Sequence, residues 1–526
     1  MAERAQVCLF DMSRGQVEGQ ELDKILFFFP SNCPIPSQLS VVGLSEGLIT
    51  FTRIFSPLTP CEVMEAERHT HVFYQCEPDL WMVLVVERSK ETEETIREGA
   101  LRAVLKEAHR LFTFFYGSIR ALLDSHPRGD VARSCLHAFF PDYLSDFLTG
   151  KKFRIPTISE SLTDRGTVQL FSPQKETLLE IQSLQEYLKS WFGGGKVRHV
   201  MTLFHNMLLS TTLSPADASV LFLYATLRML PSTLSQAPPR SRSSSRRENP
   251  AAATSPLASN SSNITLGSGR LRSLFSNLTT IPTPEVLASP HNPRLYDASL
   301  EDQGAKSSVP RPLQQEAWWK DADGFLSTYA WGSQTGRVKV LPNVKLQDSD
   351  EALNLCVYQW KSITLVMLVP KSGGSELISH LQQQVLDKAA LRIQRLEEKL
   401  VKEWPGSNAY HVAGYRYLHS DLNSQVSRSS PANKVATLTM DSLAALNRIR
   451  AEIDAEMGRW ERRSNMQDKE LELCVRTKQN AWVIVRIRDG HELYTVQEKA
   501  SNTLLHACDA VEKLSRRYFN GIFSSD

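Results

Sequence analysis

Leu353-Asn354-Leu355-Cys356-Val357-Tyr358-Gln359, Trp360-Lys361-Ser362 and Ile363-Thr364-Leu365-Val366-Met367-Leu368-Val369 read as two apolar strands joined by a short polar turn. The period then changes. Ile378, Leu381, Val385, Ala389, Ile393, Leu396 and Leu400 recur at steps of three and four, the stripe of an amphipathic helix over Ser375–Glu403. Neither strand buries both of its faces alone, so the unit needs further layers around it.

Working outward, the same order occurs twice more, and such internal recurrence decides architecture. His71–Cys76, a Glu-Pro-Asp turn and Leu80–Glu87 are followed by a helical pattern over Glu91–Leu123. Glu472–Arg476, Thr477–Asn480 and Ala481–Arg488 are followed by Tyr494–Phe519, read as the third long helix. Each copy is preceded by a strand pair and a helix. These are Gln6–Met12, Leu22–Phe29 and Gln38–Phe55; Val200–Phe204, Met207–Thr211 and a helix opening at Ser214-Pro215-Ala216-Asp217; and Tyr410–Leu418, a weakly marked strand near Gln425–Ser429 and Met440–Met457. A third central strand is expected in each, Glu62–Arg68 being the clearest candidate. Hairpin-linked strands with segregated helices give an α+β class of three α/β/α modules, with antiparallel-containing sheets and flanking helices. The modules are placed at 1–127, 197–403 and 404–526, with a helical linker over 128–196.

From about 232 to 315 the composition turns to Ser, Pro, Asn and Arg. So few apolar side chains cannot offset an ordering cost of about 1–2 kcal/mol per residue, so this stretch is read as a disordered insertion in the second module. Within it, Leu271, Leu274, Phe275, Leu278 and Ile281 fall on one helical face beside Arg270 and Arg272. Two readings remain open: a short helix lying on an anionic membrane surface through Arg270, Leu271, Arg272, Leu274, Phe275 and Leu278, or a solvated linker.

The chain of 526 residues is too long for one core, and its 60 basic and 58 acidic side chains nearly cancel, so bulk charge attracts no nucleic acid. No run approaches the roughly 18 apolar residues of a membrane span. Met1-Ala2-Glu3-Arg4-Ala5-Gln6-Val7 lacks the basic start and apolar core of a secretory leader, so the expected compartment is the cytoplasm. Cysteines at 8, 33, 61, 76, 135, 356, 474 and 508 form no regular framework and are read as reduced thiols.

Motifs of chemistry are weak. Gly193-Gly194-Gly195-Lys196 lacks the spacing and hydroxyl of a phosphate loop and reads as a hinge. His69 and His71 near Cys61 and Cys76 match no zinc spacing and read as ordinary strand residues. No nucleophile elbow or Cys/His signature occurs, so no covalent catalysis, cofactor or metal is expected. Asn260, Asn263 and Asn277 open glycosylation triplets that need a secretory route to matter.

Leu9-Phe10-Asp11 followed by Gly15-Gln16, Glu18-Gly19-Gln20-Glu21-Leu22-Asp23-Lys24-Ile25-Leu26-Phe27-Phe28 closely resembles the vacuolar fusion proteins of the calcium-caffeine-zinc-sensitivity (Ccz) family. Three α/β units with an insertion in the second match that family's three longin domains. The resemblance implies pairing with the tri-longin Mon (monensin-sensitivity) subunit to form a guanine-nucleotide exchange factor for the late-endosomal or vacuolar Rab GTPase. It implies peripheral recruitment to the late endosome, prevacuolar compartment and vacuole. Partner and Rab contacts are then expected on the first module, at Glu21, Asp23, Lys24, Leu44 and Leu48. Packing on their own sheet is an equal reading for the two leucines, and a solvated turn for the three charged residues. A longin-type trafficking scaffold or adaptor without exchange activity is the alternative.

Overall fold

A computed structural model describes residues 5–57, 61–87, 98–149, 162, 166–191, 196–230, 309–314, 318–329, 339–347, 349, 351–406, 410–461, 470–498, 503–519 and 522–523. The first sheet contains β1 (Ala5–Asp11), β2 (Ile25–Phe29), β3 (Val63–Glu65), β4 (His69–Glu77) and β5 (Leu80–Glu87) in the order β2-β1-β5-β4-β3, every pair antiparallel. Strand alternation divides its side chains between two cores. Val7, Leu9, Val72, Met82 and Leu84 belong to the core that includes helix Glu98–Tyr116, while Cys8, Phe10, Phe28, Phe73, Trp81 and Val83 cluster with Val42 and Ile49 of helix Ile35–Phe55.

The stretch read as a linker is shared out among the modules. Helix Asp130–Thr149 packs on β2 and on helix Glu98–Tyr116, covering one edge of the first sheet. The next strand, β6 (Val168–Gln169), pairs in parallel with a strand of the third sheet. Helix Lys175–Trp191 packs on the second sheet through Ile181, Leu184 and Leu188. A linker pattern in sequence thus became three structural joints, because each apolar stripe found a sheet to cover.

The second sheet carries β7 (His199–Phe204), β8 (Met207–Thr211), β9 (Trp318–Lys320), β10 (Phe325–Tyr329), β11 (Lys339–Val340), β12 (Asn343–Lys345), β13 (Ala352–Trp360) and β14 (Ile363–Pro370). Its path runs β11-β10-β13-β14-β7-β8, with β12 on β13 and β9 on β10. The quoted hairpin sits at the centre, its full register held from Leu353↔Pro370 to Trp360↔Ile363 with Lys361 at φ 47° in the turn. The helix beyond it runs as Gly374–Gln384 and Ala390–Glu403 joined by a π turn at Val385–Ala389; of the stripe, Leu381, Val385, Ala389, Ile393, Leu396 and Leu400 are buried and Ile378 is half-buried.

The third sheet contains β15 (Arg416–Asp421), β16 (Val426–Ser429), β17 (Leu471–Arg476), β18 (Trp482–Arg488) and β19 (His491–Gln497), ordered β17-β18-β19-β15-β16-β6. Its own five strands repeat the order of the first sheet, strand for strand. In the second sheet β8-β7-β14-β13 takes the corresponding places, and in the third the counterpart of β4–β5 is β18–β19, one strand later than the expected pair Glu472–Arg476 and Ala481–Arg488.

Several expectations are corrected. Tyr494–Gln497 belongs to β19 and the last helix is Leu504–Tyr518, because Asp489 and Gly490, at φ 51° and 78°, make the left-handed two-residue turn of a hairpin. The helix read through Leu123 breaks at Gly117, φ 84°, and restarts at Ile119 under a Ser118 cap whose hydroxyl accepts from Ala121 N. Leu22–Lys24 lies in a short 3-10 turn rather than in β2, and β15 begins at Arg416 rather than Tyr410. The insertion ends earlier than 315. Leu313 is buried, its carbonyl accepting from Arg228 Nε at 2.7 Å, and Pro312 accepts from Tyr224 OH at 3.1 Å. Gly193, Gly194, Gly195 and the stretch carrying Arg270, Leu271, Arg272, Leu274, Phe275 and Leu278 lie outside the described residues.

Candidate functional site

The run Gly15–Phe28 is built around one tight turn. Gly15 has φ 58°, and a Cβ there would stand 2.6 Å from Gln20 O and 2.8 Å from Lys24 Cγ, so only glycine closes the loop. Behind it, buried Asp11 receives Arg120 Nη1 at 3.0 Å, Arg14 Nη2 donates to Pro127 O at 2.6 Å, and Arg133 Nη2 donates to Asp23 O at 3.1 Å. The loop is therefore held from both ends.

Of the predicted contact residues, Glu21 and Asp23 are exposed on the 3-10 turn, and Glu21 Oε1 accepts from Gly19 N at 2.9 Å. Hydrogen bonds from the backbone amides of Gly19 and Glu21 hold the Glu21 carboxyl below its ordinary value. Lys24 Nζ sits 2.7 Å from Glu46 Oε2 with both side chains mostly covered, so its ammonium clamps the turn to helix Ile35–Phe55. Leu48 is half-buried against the sheet, whereas Leu44 faces outward.

That helix carries apolar residues all round. In the sequence Val41, Leu44, Leu48, Phe51 and Phe55 follow the three- and four-residue steps of one helix face, a spacing that does not say what the face packs against. In the structure the packed face is Val42, Ser45 and Ile49, with Val41 and Leu48 at its margin. Leu44, Phe51, Ile54 and Phe55 are 49%, 60%, 71% and 73% exposed, and the rings of Phe51 and Phe55 meet edge to face at 5.0 Å. Gly43 and Gly47 lie one turn apart on the exposed side, where a Cβ would meet nothing within 4 Å. Their small size is not required by this chain's own packing. Leu22 and Val17, on the loop clamped by Lys24, are exposed as well. Exposed apolar patches of this kind commonly mark interaction sites.

Glu77 fixes the far end of the same sheet. A register shift between Gln75 and Glu77 turns its carboxylate to the start of helix Ile119–Ser125, where it accepts from Ile119 N at 2.8 Å, Arg120 N at 2.7 Å and Ser118 Oγ at 2.7 Å. His109 Nε2 lies 3.0 Å away. Burial works against the charge, but the hydrogen bonds from His109, Ser118 and the two amides outweigh it and hold the carboxyl down to about 2.

Among the described residues, His69, His71, Cys61 and Cys76 do not assemble as one ligand set. Cys61 lies with the core under helix Ile35–Phe55, and Cys76 with the core on the sheet's opposite side. Among those residues also, no helix is long and apolar enough to cross a membrane.

Residues 5–117 match the model for the first longin domain of INTU, CCZ1 and HPS4. Over 528 aligned residues the chain is 46% identical to a vacuolar fusion protein CCZ1 homolog of Oryza sativa subsp. japonica, covering 100% of this chain and 98% of that protein. It is also 46% identical to vacuolar fusion protein CCZ1 homolog B of Arabidopsis thaliana, with the same coverage. At greater distance it is 22% identical to a vacuolar fusion protein CCZ1 homolog of Nematostella vectensis, across 98% of this chain and 97% of that one. The matched longin segment contains the anchored loop and the outward-facing helix, and the likeness extends over the whole of the three-sheet chain, which belongs to the CCZ1 family of vacuolar fusion proteins.

Proposed function

We propose that this chain acts in vacuole fusion as one subunit of a heterodimeric guanine-nucleotide exchange factor. It pairs with a Mon-family tri-longin subunit and activates the late-endosomal or vacuolar Rab GTPase during endosome maturation and vacuole or lysosome fusion. The observation that carries this reading is the outward apolar face of helix Ile35–Phe55, with Leu44, Phe51, Ile54 and Phe55 unpartnered by their own sheet in a longin domain of this family. Exchange needs no bond-making group. A surface that binds nucleotide-free Rab more tightly than loaded Rab weakens nucleotide by the same factor, through linkage. Displacing the switch segments that hold magnesium and phosphate is the structural way to build that difference.

Partner and Rab contacts are assigned to this helix face, Leu44 and Leu48 included, and to Glu21, Asp23 and Lys24 on the neighbouring turn. Recruitment to an anionic membrane is assigned to Arg270, Leu271, Arg272, Leu274, Phe275 and Leu278. The test is release of fluorescent GDP from that Rab by this chain, by the Mon subunit and by the co-purified pair. Acceleration by the pair alone is expected. No acceleration by the pair leaves the scaffold or adaptor reading. Flotation with anionic liposomes, comparing wild type with Leu274→Asp, Phe275→Asp, tests the membrane assignment, and equal binding removes it.

A further inference from the structure

Strand alternation at the edge of the third sheet separates four consecutive residues. Leu471 and Leu473 pack with helix Met440–Glu461, whereas Glu472 and Cys474 turn to the other side, where helix Leu504–Tyr518 lies. That helix presents Cys508 to the same spot. Glu472 Oε1 is 3.7 Å from Cys474 Sγ and 3.5 Å from Cys508 Sγ, and the three ligand atoms lie within 4.8 Å of one another. A tetrahedral zinc with bonds of about 2.3 Å to sulfur and about 2.0 Å to oxygen sets such donors about 3.5 Å apart. The spacing seen here is that of a coordination edge.

We propose that Glu472, Cys474 and Cys508 form a binding site for a zinc-class divalent cation that clasps the edge strand β17 to the C-terminal helix. Two thiolates and a carboxylate select a thiophilic cation over magnesium or calcium, and three protein ligands leave one position for water. Their combined charge of about −3 exceeds that of a divalent ion. Arg486, nearly buried, offsets the excess: its Nη2 lies 3.3 Å from Glu472 Oε1 and its Nη1 donates to Phe523 O at 3.1 Å. It therefore orients the carboxylate as an outer partner orients a metal ligand. The donors come from one strand and one helix that are far apart in sequence, so occupancy tightens the C-terminal helix against the sheet. This inference is independent of the exchange reading.

The full-length chain, reduced and stripped with a chelator, is titrated with Co²⁺ and then Zn²⁺. The expected result is one Co²⁺ per chain with thiolate-to-cobalt charge-transfer absorption, displaced by Zn²⁺. Cys474→Ser and Cys508→Ser each weaken binding by at least about tenfold, and the double variant loses the absorption. Glu472→Gln keeps the absorption with binding about tenfold weaker, and Cys33→Ser leaves it unchanged. Alkylation of the wild-type chain gives a readout that needs no variant: Zn²⁺ protects Cys474 and Cys508 while Cys33 reacts at the same rate. Absent absorption, absorption of full strength in the double variant, or equal alkylation with and without Zn²⁺ overturns the proposal.

Discussion

Glu77 shows how one side chain ties distant segments together. Its carboxyl is held at about 2 against an ordinary 4.5, so the folded state favours the ionised form. That contribution is complete above the ordinary value and disappears as pH falls through 4.5 toward 2. The Glu77→Gln variant is expected to lose about 1–3 kcal/mol at neutral pH, since amides and a hydroxyl are left without a charged acceptor. In urea unfolding at stepped pH, the wild type should lose stability across that acid window while the variant changes less. Gly15 is the second residue whose identity is forced. Gly15→Ala should cost more than about 1 kcal/mol, from the left-handed backbone and the approach of Gln20 O, read as a lower urea midpoint at unchanged slope. The run that carried the family resemblance is thus, in part, a folding requirement of one loop.

Helices were located more easily than they were oriented. Helix Ile35–Phe55 was placed from its apolar spacing, yet spacing alone named the outward residues Leu44, Phe51 and Phe55 together with the marginal Leu48. A helix apolar on all sides gives periodicity no means of choosing the face that meets its sheet. The pair Phe51→Asp, Ile54→Asp should change stability by under about 0.5 kcal/mol, because both are surface positions, while abolishing co-purification with the Mon subunit. Ile49→Asp, on the packed face, should unfold the domain by burying an unpaired charge, seen as lost cooperative melting. Helix Glu98–Tyr116 was legible for the opposite reason. Leu101, Val104, Leu105, Ala108, Leu111 and Phe112 are buried because it packs on β4 and also on β12 and helix Pro215–Tyr224 of the second module. Its helical period is visible in the sequence, its second neighbour is not.

Across the molecule, the short segment 168–172 joins two modules. β6 pairs with β16, Leu170 bridges to Leu208 of β8, and Tyr410 OH donates to Leu170 O at 3.0 Å while accepting from Ser172 N at 3.1 Å. Tyr410→Phe should cost about 1–2 kcal/mol through the two lost bonds. Amide exchange should quicken around 168–172 and in β16 and stay unchanged in β1 and β5. The first and second modules share a core instead: Phe115 meets Tyr224 at 4.8 Å, and Arg311 pairs with Asp142 at 2.6 Å. Neither joint has a motif, since apart from the Leu170–Leu208 bridge each is made by residues roughly 100 to 250 positions apart.

By itself the sequence determined the α+β class, the threefold recurrence, the central hairpin Leu353–Val369 and the family. Those features rest on local period, turn chemistry and an unusual run, all of which act within a few residues. Tertiary structure decided which helix face stays outward, how the 128–196 stretch was divided, that Tyr494–Gln497 is a strand, and that Glu472, Cys474 and Cys508 meet. Each of these depends on which surface an apolar or polar group finds once distant segments pack, and neither period nor spacing encodes that choice.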